Sequence, residues 1–382
     1  MSRRSQSLVR AARIAGALLV TLGPSVPPAN AREVVDPAEI RRATSQYEVV
    51  RQAQRLDTLA RARAVDPLGE ELKRALGDPA FGAIAREWLL DRALHELARQ
   101  VPTQPVRVLV TDLARRQPEV FIRADPEQGS HGVPLYDPGA TARFVLQIWA
   151  RAAERDAAAA ALEAGLASPI ERFAARTTPA ETDAVRGGIL EAFARLTPAK
   201  LARHRDAVLV ALEGGERVDE IALMMAARLH DAELHRLVLD YAEPAIALAA
   251  VRQVRGALDD TTALATLVGA ARRAEIASAA LLEIGRIAQQ DSSAREYLFL
   301  AIRDPSVGPS AAAALAALHD PAVAARLGEQ LRGQTSEESR RHLALALQLD
   351  GSSAARAELT RFAQTKAGSA QLRKEVDTWL AQ

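Results

Sequence analysis

The chain has 382 residues, 48% hydrophobic but only 4% aromatic, with 49 basic and 48 acidic side chains and no cysteine. That length permits two or three domains or one extended array, and an apolar content of mostly Ala, Leu and Val suits close helix packing better than β-sandwich layers. Lack of cysteine excludes disulfides, a thiol nucleophile, cysteine-ligated metals and a lipid-modified N-terminal cysteine, and near-neutral charge argues against nucleic acid as a partner.

Residues 1–31 read as a cleaved signal peptide. Arg3, Arg4, Arg10 and Arg13 form a positive start, Ile14–Gly23 an apolar stretch of ten, and Ala29-Asn30-Ala31 an A-x-A cleavage site. Ten apolar residues cannot cross a bilayer, which takes about 20. The pattern predicts a periplasmic or secreted protein starting at Arg32, with no membrane span in the mature chain. Ser2-Arg3-Arg4 suggests a twin-arginine signal, but Gln6 stands where an aromatic residue or Leu is expected. Cleavage takes away four arginines and no acids, leaving 45 basic against 48 acidic groups, about −3.

Residues 32–117 read as an N-terminal helical region. An Asp side chain caps the free N–H groups of a starting helix and Pro suits its first position, so Asp-Pro pairs mark helix starts. Asp36-Pro37-Ala38-Glu39 predicts a capping box opening a helix over 37–64, with Ile40, Ala43, Tyr47 and Val50 at helical spacing. Asp66-Pro67 and Asp78-Pro79 start further elements, the second preceding Phe81–Arg99 with Trp88, Leu89 and Leu97 on its apolar face. Another helix follows Pro102 and Pro105, to about Gln117.

Residues 118–139 read as an irregular loop. Pro118, Pro126, Pro134 and Pro138 with Gly129, Gly132 and Gly139 forbid a single helix, and connections this long tend to be functional or disordered. Phe121, Arg123, His131 and Tyr136 in the loop, with Trp149 just beyond, are the candidate binding residues. Asp125, Glu127, His131 and Asp137 can hold a divalent cation or a small polar ligand; the plainer reading is a polar surface loop. Residues 140–200 predict a long helix over about Ala140–Ala164. Two capping boxes follow, Ser168-Pro169-Ile170-Glu171 and Thr178-Pro179-Ala180-Glu181, the second opening a helix with the stripe Val185, Ile189, Phe193 and Leu196.

Residues 201–382 repeat. Asp231, Asp260, Asp291, Asp320 and Asp350 sit at turns, 29, 31, 29 and 30 residues apart, and second helices start near Glu243, Glu275, Pro305, Ser336 and Ser369. The second helices carry apolar stripes, as in Ile276, Ala280, Ile284 and Ile287, or Leu372, Val376, Trp379 and Leu380. Helix pairs at a period near 30 predict a helical solenoid. One unit, with Asp304-Pro305, Val307, Ala311–Ala314, Leu315 and Leu318-His319-Asp320-Pro321, resembles the HEAT-like repeat family in its short bacterial form, related to repeats of phycobilin lyases. It departs from that pattern at Gly308-Pro309, where the family carries a turn-bridging arginine. The resemblance covers about Ala202–Gln382. It implies an α-solenoid of antiparallel helix pairs that binds proteins along a concave surface, and it carries over no catalytic residue. The expected fold is all-α, with an irregular helical N-terminal half.

Motifs for chemistry are missing. His230 and His235 near Glu233 are five residues apart, not the three or four that zinc pairs favour, and His95-Glu96 lacks its second histidine because position 99 is Arg99. There is no G-x-S-x-G elbow, phosphate-cradling glycine loop or Rossmann fingerprint. Trp88, Trp149 and Trp379 read as core residues, and His319 and His342 as turn and helix-surface residues. The expectation is an exported scaffold binding a protein or an envelope component, without catalytic residues, metal or cofactor. The alternative is a periplasmic glycan-processing enzyme using a carboxylate pair in an all-helical cleft.

Overall fold

The computed structural model describes residues 35–122, 132–175, 179–365 and 367–381. The leader 1–31, Thr178 of the second capping box, and Arg123, Asp125, Glu127 and His131 of the loop lie outside the described residues. Among the described residues the chain is all-α, with a single two-stranded ribbon, and it divides into two compact units, 1–146 and 147–382.

The first unit contains α1 (Pro37–Thr44), α2 (Tyr47–Arg61), α3 (Val65–Gly77), α4 (Ala83–Leu97), α5 (Gln104–Leu113), the strands β1 (Phe121–Ile122) and β2 (Val133–Pro134), and the start of α6 (Pro138–Glu163). Where one helix was expected over 37–64 there are two, α1 capped by Asp36 through the Ala38 N–H at 2.6 Å. Asp78-Pro79 makes a turn rather than a helix start: Asp78 accepts the Ala80 N–H at 2.9 Å, and α4 begins at Ala83. α4 packs on α1, α2 and α3, and α3 also on α5, burying Val49, Leu56, Leu68, Leu72, Leu90, Leu94 and Val110. The buried Glu71 carboxylate of α3 accepts from Gln52 and Arg55 of α2, at 3.1 and 3.0 Å, and from Arg74.

The second unit begins within α6. It continues with α7 (Ser168–Ala174), α8 (Pro179–Arg195), α9 (Pro198–Ala202), α10 (Arg205–Glu213), α11 (Asp219–Leu229), α12 (Ala232–Tyr241), α13 (Pro244–Ala257) and α14 (Asp260–Ala270). The last seven helices are α15 (Ala274–Ile287), α16 (Ser292–Ala301), α17 (Gly308–Ala316), α18 (Pro321–Gly333), α19 (Glu337–Asp350), α20 (Ser353–Ala363) and α21 (Ala370–Leu380). This is a solenoid-like stack. Most neighbours in sequence pack side by side, and alternate helices pack on each other along the series α11, α13, α15, α17, α19 and α21. Asp231, Asp259, Asp291, Asp320 and Ser352 cap α12, α14, α16, α18 and α20 with side-chain oxygens, and Ser336 and Ser369 cap α19 and α21. Ile276, Ala280, Ile284 and Leu372 are fully buried, as their stripes predict, whereas Trp379 packs partly buried against the same core.

Local departures from the sequence reading have local causes. Asp304 spends its carboxylate on the Ser306 N–H and hydroxyl, at 2.8 and 2.6 Å, so α17 starts three residues after Pro305. Ser168 is the first residue of α7 and makes no side-chain cap bond. His342 is buried, not a surface residue. Arginine side chains tie several of the turns. Arg295 donates to the Ala288 and Gln289 carbonyls at 2.6 and 2.7 Å, and Arg273 to the Leu239 carbonyl at 2.9 Å. Two buried glutamates are flanked alike by arginines, Glu283 by Arg255 and Arg286, and Glu358 by Arg332 and Arg361. At Gly188 a side chain would strike the Arg151 carbonyl, so the Gly187-Gly188 pair lets α8 lie directly on α6.

Candidate functional site

The chain entering the stretch expected to be an irregular loop is held by a helix residue. Glu87, in the second turn of α4, is fully buried, and its two carboxylate oxygens accept the main-chain N–H groups of Glu119 at 2.5 Å and Val120 at 3.2 Å. Burial pushes the Glu87 carboxyl above the ordinary range and the nearby Glu119 charge adds to this, against the two N–H groups and Arg116. From this clasp the chain runs into an antiparallel ribbon, Phe121 opposite Pro134 and Ile122 opposite Val133. The Phe121 carbonyl accepts the Val35 N–H and the Val120 carbonyl the Leu135 N–H, both at 2.9 Å. Val35, Ile84 and Val120 form a small core beneath it. The return is pinned too: Asp137 accepts the Ala140 N–H at 2.8 Å, Arg143 donates to the Ala114 carbonyl at 2.7 Å, and Gly139 lies so close to the Arg116 carbonyl that no side chain fits.

This framework sorts the candidate binding residues. Phe121 and Trp149 are 3% and 2% exposed, so both rings serve packing and neither offers a contact surface. Arg123 and His131 lie outside the described residues. Tyr136 is half-buried, and of the three candidates among the described residues it alone lines a hollow, an open groove of about 400 Å³ that it shares with Trp88, Asp91, Arg92, His95 and Glu96 of α4.

These α4 residues fall at helical spacing on one face, opposite the buried Leu89, Leu90, Ala93 and Leu94. Asp91, Arg92, His95 and Glu96 are each held by a partner. Arg92 makes a two-point bond to Asp57, at 2.8 and 2.7 Å, and its guanidinium lies 5.8 Å from the Trp88 ring centroid. That bond keeps the Asp57 carboxyl below the usual carboxylate range. Asp91 accepts from the Thr141 hydroxyl at 3.1 Å and lies 3.4 Å from His95 Nδ1, which bonds to the Asp91 carbonyl at 2.8 Å. Glu96 takes Arg99 at 3.2 Å. Burial pushes the Tyr136 phenol up, and the Asp91 and Glu87 charges add to it. Among the described residues no group donates to or accepts from that hydroxyl. The sequence reading placed Trp88 in the core and dismissed His95-Glu96 as a broken zinc motif; the usable signal was the polar stripe at positions 88, 91, 92, 95 and 96.

A second hollow, of about 470 Å³, lies at the start of α4, lined by Val35, Glu39, Arg42, Gln46 and Glu119 among others. Among the described residues no three His, Asp or Glu side chains stand where they could share a metal ion. His230 and His235 are each bonded through Nδ1 to a backbone carbonyl, of Ala257 and Asp231 respectively. No family model matches the chain, and no curated protein matches it.

Proposed function

We propose that this chain is an exported, non-catalytic α-solenoid scaffold that binds a protein or an envelope component. Its contact surface in the first unit is the exposed side of the β1–β2 ribbon, at Val133, with the polar face of α4. The observation that carries this reading is the Glu87 clasp. A buried carboxylate is costly, and here it is spent on fixing the main chain that leads into the ribbon, beside a groove of aromatic and polar side chains. Such pre-positioning favours binding, because little ordering entropy remains to be lost. The HEAT-like resemblance of the second unit supports the scaffold part, and residues 1–31 support export.

The glycan-processing alternative needs two carboxylates free to act as acid and base or nucleophile. Asp91 and Glu96 are the groove's carboxylates. Asp91 is tied to Thr141 and His95, and Glu96 to Arg99, which favours a binding role.

Affinity capture from envelope extract tests the reading, comparing the full chain with a Val133→Asp/Tyr136→Ala variant. Val133 is 43% exposed and Tyr136 lines the groove, so the pair alters the surface and leaves the Glu87 clasp intact. The expected result is a component captured by the full chain and lost with the variant at unchanged helical content. Equal recovery by both would remove the ribbon and groove from the reading.

A further inference from the structure

The α4 groove is chemically specific. Its walls carry an indole, a phenol, two carboxylates, a guanidinium and an imidazole, on a rigid helix and at a ribbon pinned by Glu87. Its volume of about 400 Å³ is of small-molecule size, and it is open to solvent rather than enclosed, so a ligand can be one segment of a longer chain.

Charge narrows the ligand class. An anion would look to Arg92, but that guanidinium already faces both oxygens of Asp57, and Asp91 and Glu96 stand beside it. A quaternary or protonated amine would look to the Trp88 face, but the Arg92 guanidinium, held there by Asp57, already occupies the cation position 5.8 Å from that ring centroid. A wholly apolar ligand would desolvate Asp91, Glu96 and the Tyr136 hydroxyl with nothing in return. What remains is a neutral ligand with apolar faces for the two rings and many hydroxyls that both donate and accept. Aromatic rings supply the apolar contact, and side chains fixed by Asp57, Thr141 and Arg99 supply hydrogen bonds at little entropic cost.

We propose that the groove of Trp88, Asp91, Arg92, His95, Glu96 and Tyr136 binds a neutral carbohydrate chain. This rests on the scaffold reading and names its envelope component as a glycan. One face of the sugar lies against Trp88, and the Tyr136 hydroxyl, for which the described residues supply no partner, bonds to a ring substituent.

Calorimetric titration of the full chain tests the proposal. The probes are neutral tetrasaccharides of β-1,4-linked N-acetylglucosamine, β-1,4-linked glucose and α-1,4-linked glucose, with choline and inorganic phosphate run beside them. At least one tetrasaccharide is expected to bind with Kd at or below about 10 mM, while choline and phosphate do not. Trp88→Ala should weaken that binding about tenfold or more, and Tyr136→Phe, which keeps the ring and removes one hydroxyl, about three- to tenfold. The Tyr136→Phe variant keeps the test valid if Trp88→Ala fails to fold. Absence of binding by all three sugars overturns the proposal. Preference for choline or phosphate, or affinities untouched by both variants, does so equally. If no sugar binds but the extract component is still captured through Val133 and Tyr136, only the glycan assignment falls; if both experiments fail, the scaffold reading of this surface falls with it.

Discussion

His342 of α19 closes its imidazole over Gly308 at the start of α17 and donates from Nδ1 to the Ile302 carbonyl 3.1 Å away. A β-carbon on residue 308 would overlap the ring. Glycine stands here for the close approach of the neighbouring helix.

Gly308→Ala is therefore expected to lower stability by about 1–3 kcal/mol, through displacement of His342 and loss of its bond to Ile302. Urea denaturation checks it. His342→Ala should cost about as much alone, and the double variant should cost clearly less than the two together, because both act through one contact.

Leu315 is 1% exposed inside the α17 layer. Leu315→Asp places an unpaired charge there and should destabilise the second unit by several kcal/mol, about 3 or more. A variant that stays fully helical with an unchanged melting temperature would show that this position lies outside the core.

Removing the clasp should loosen the ribbon selectively. Glu87→Ala leaves the Glu119 and Val120 N–H groups without their acceptor, at about 1–3 kcal/mol for each buried group left unsatisfied. Hydrogen exchange at those two amides should speed up by an order of magnitude or more, while amides in α18–α20 keep their protection.

Acid should weaken the fold through His235. Burial holds this imidazole below its ordinary value of 6.5; His230 acts in the same direction, and Asp231 opposes it. The unfolded chain therefore binds a proton that the folded chain resists. This contribution to stability is complete above about pH 6.5 and declines as pH falls below it. Urea midpoints measured from pH 7.5 down to pH 5.5 should fall, and His235→Leu should flatten that slope.

The legible part of the molecule is the part governed by short-range physics. Helix N-termini announce themselves through Asp, Ser and Pro, so the starts at Asp231, Asp291, Asp320, Ser336 and Ser369 coincide with real caps. Apolar stripes such as Ile276, Ala280 and Ile284 name their own buried faces. The same rules misread Asp78 and Asp304, because an Asx turn and a helix cap use the same carboxylate and differ only in what the following residues do next.

The candidate site was legible only in outline. Residues 118–139 stand out by their proline and glycine, yet of Phe121, Tyr136 and Trp149, the candidates among the described residues, only Tyr136 lines the groove. Phe121 stands out as an aromatic residue in a polar loop and Trp149 by its nearness to that loop, yet aromatic side chains at such positions are as readily recruited into cores. Trp88 was assigned inward on the same default and instead lines the groove.

By itself the sequence determined an all-helical chain, the places where most helices begin and the faces they bury, since these depend on residues within about four positions of one another. Tertiary structure decided that Glu87 reaches over 30 residues along the chain to hold Glu119 and Val120, and that Tyr136 meets Trp88 and Asp91 across one groove. It also decided that His342 displaces any side chain from position 308. Such pairings join groups distant in sequence, and only the packing of one helix on another brings them within hydrogen-bonding or van der Waals range.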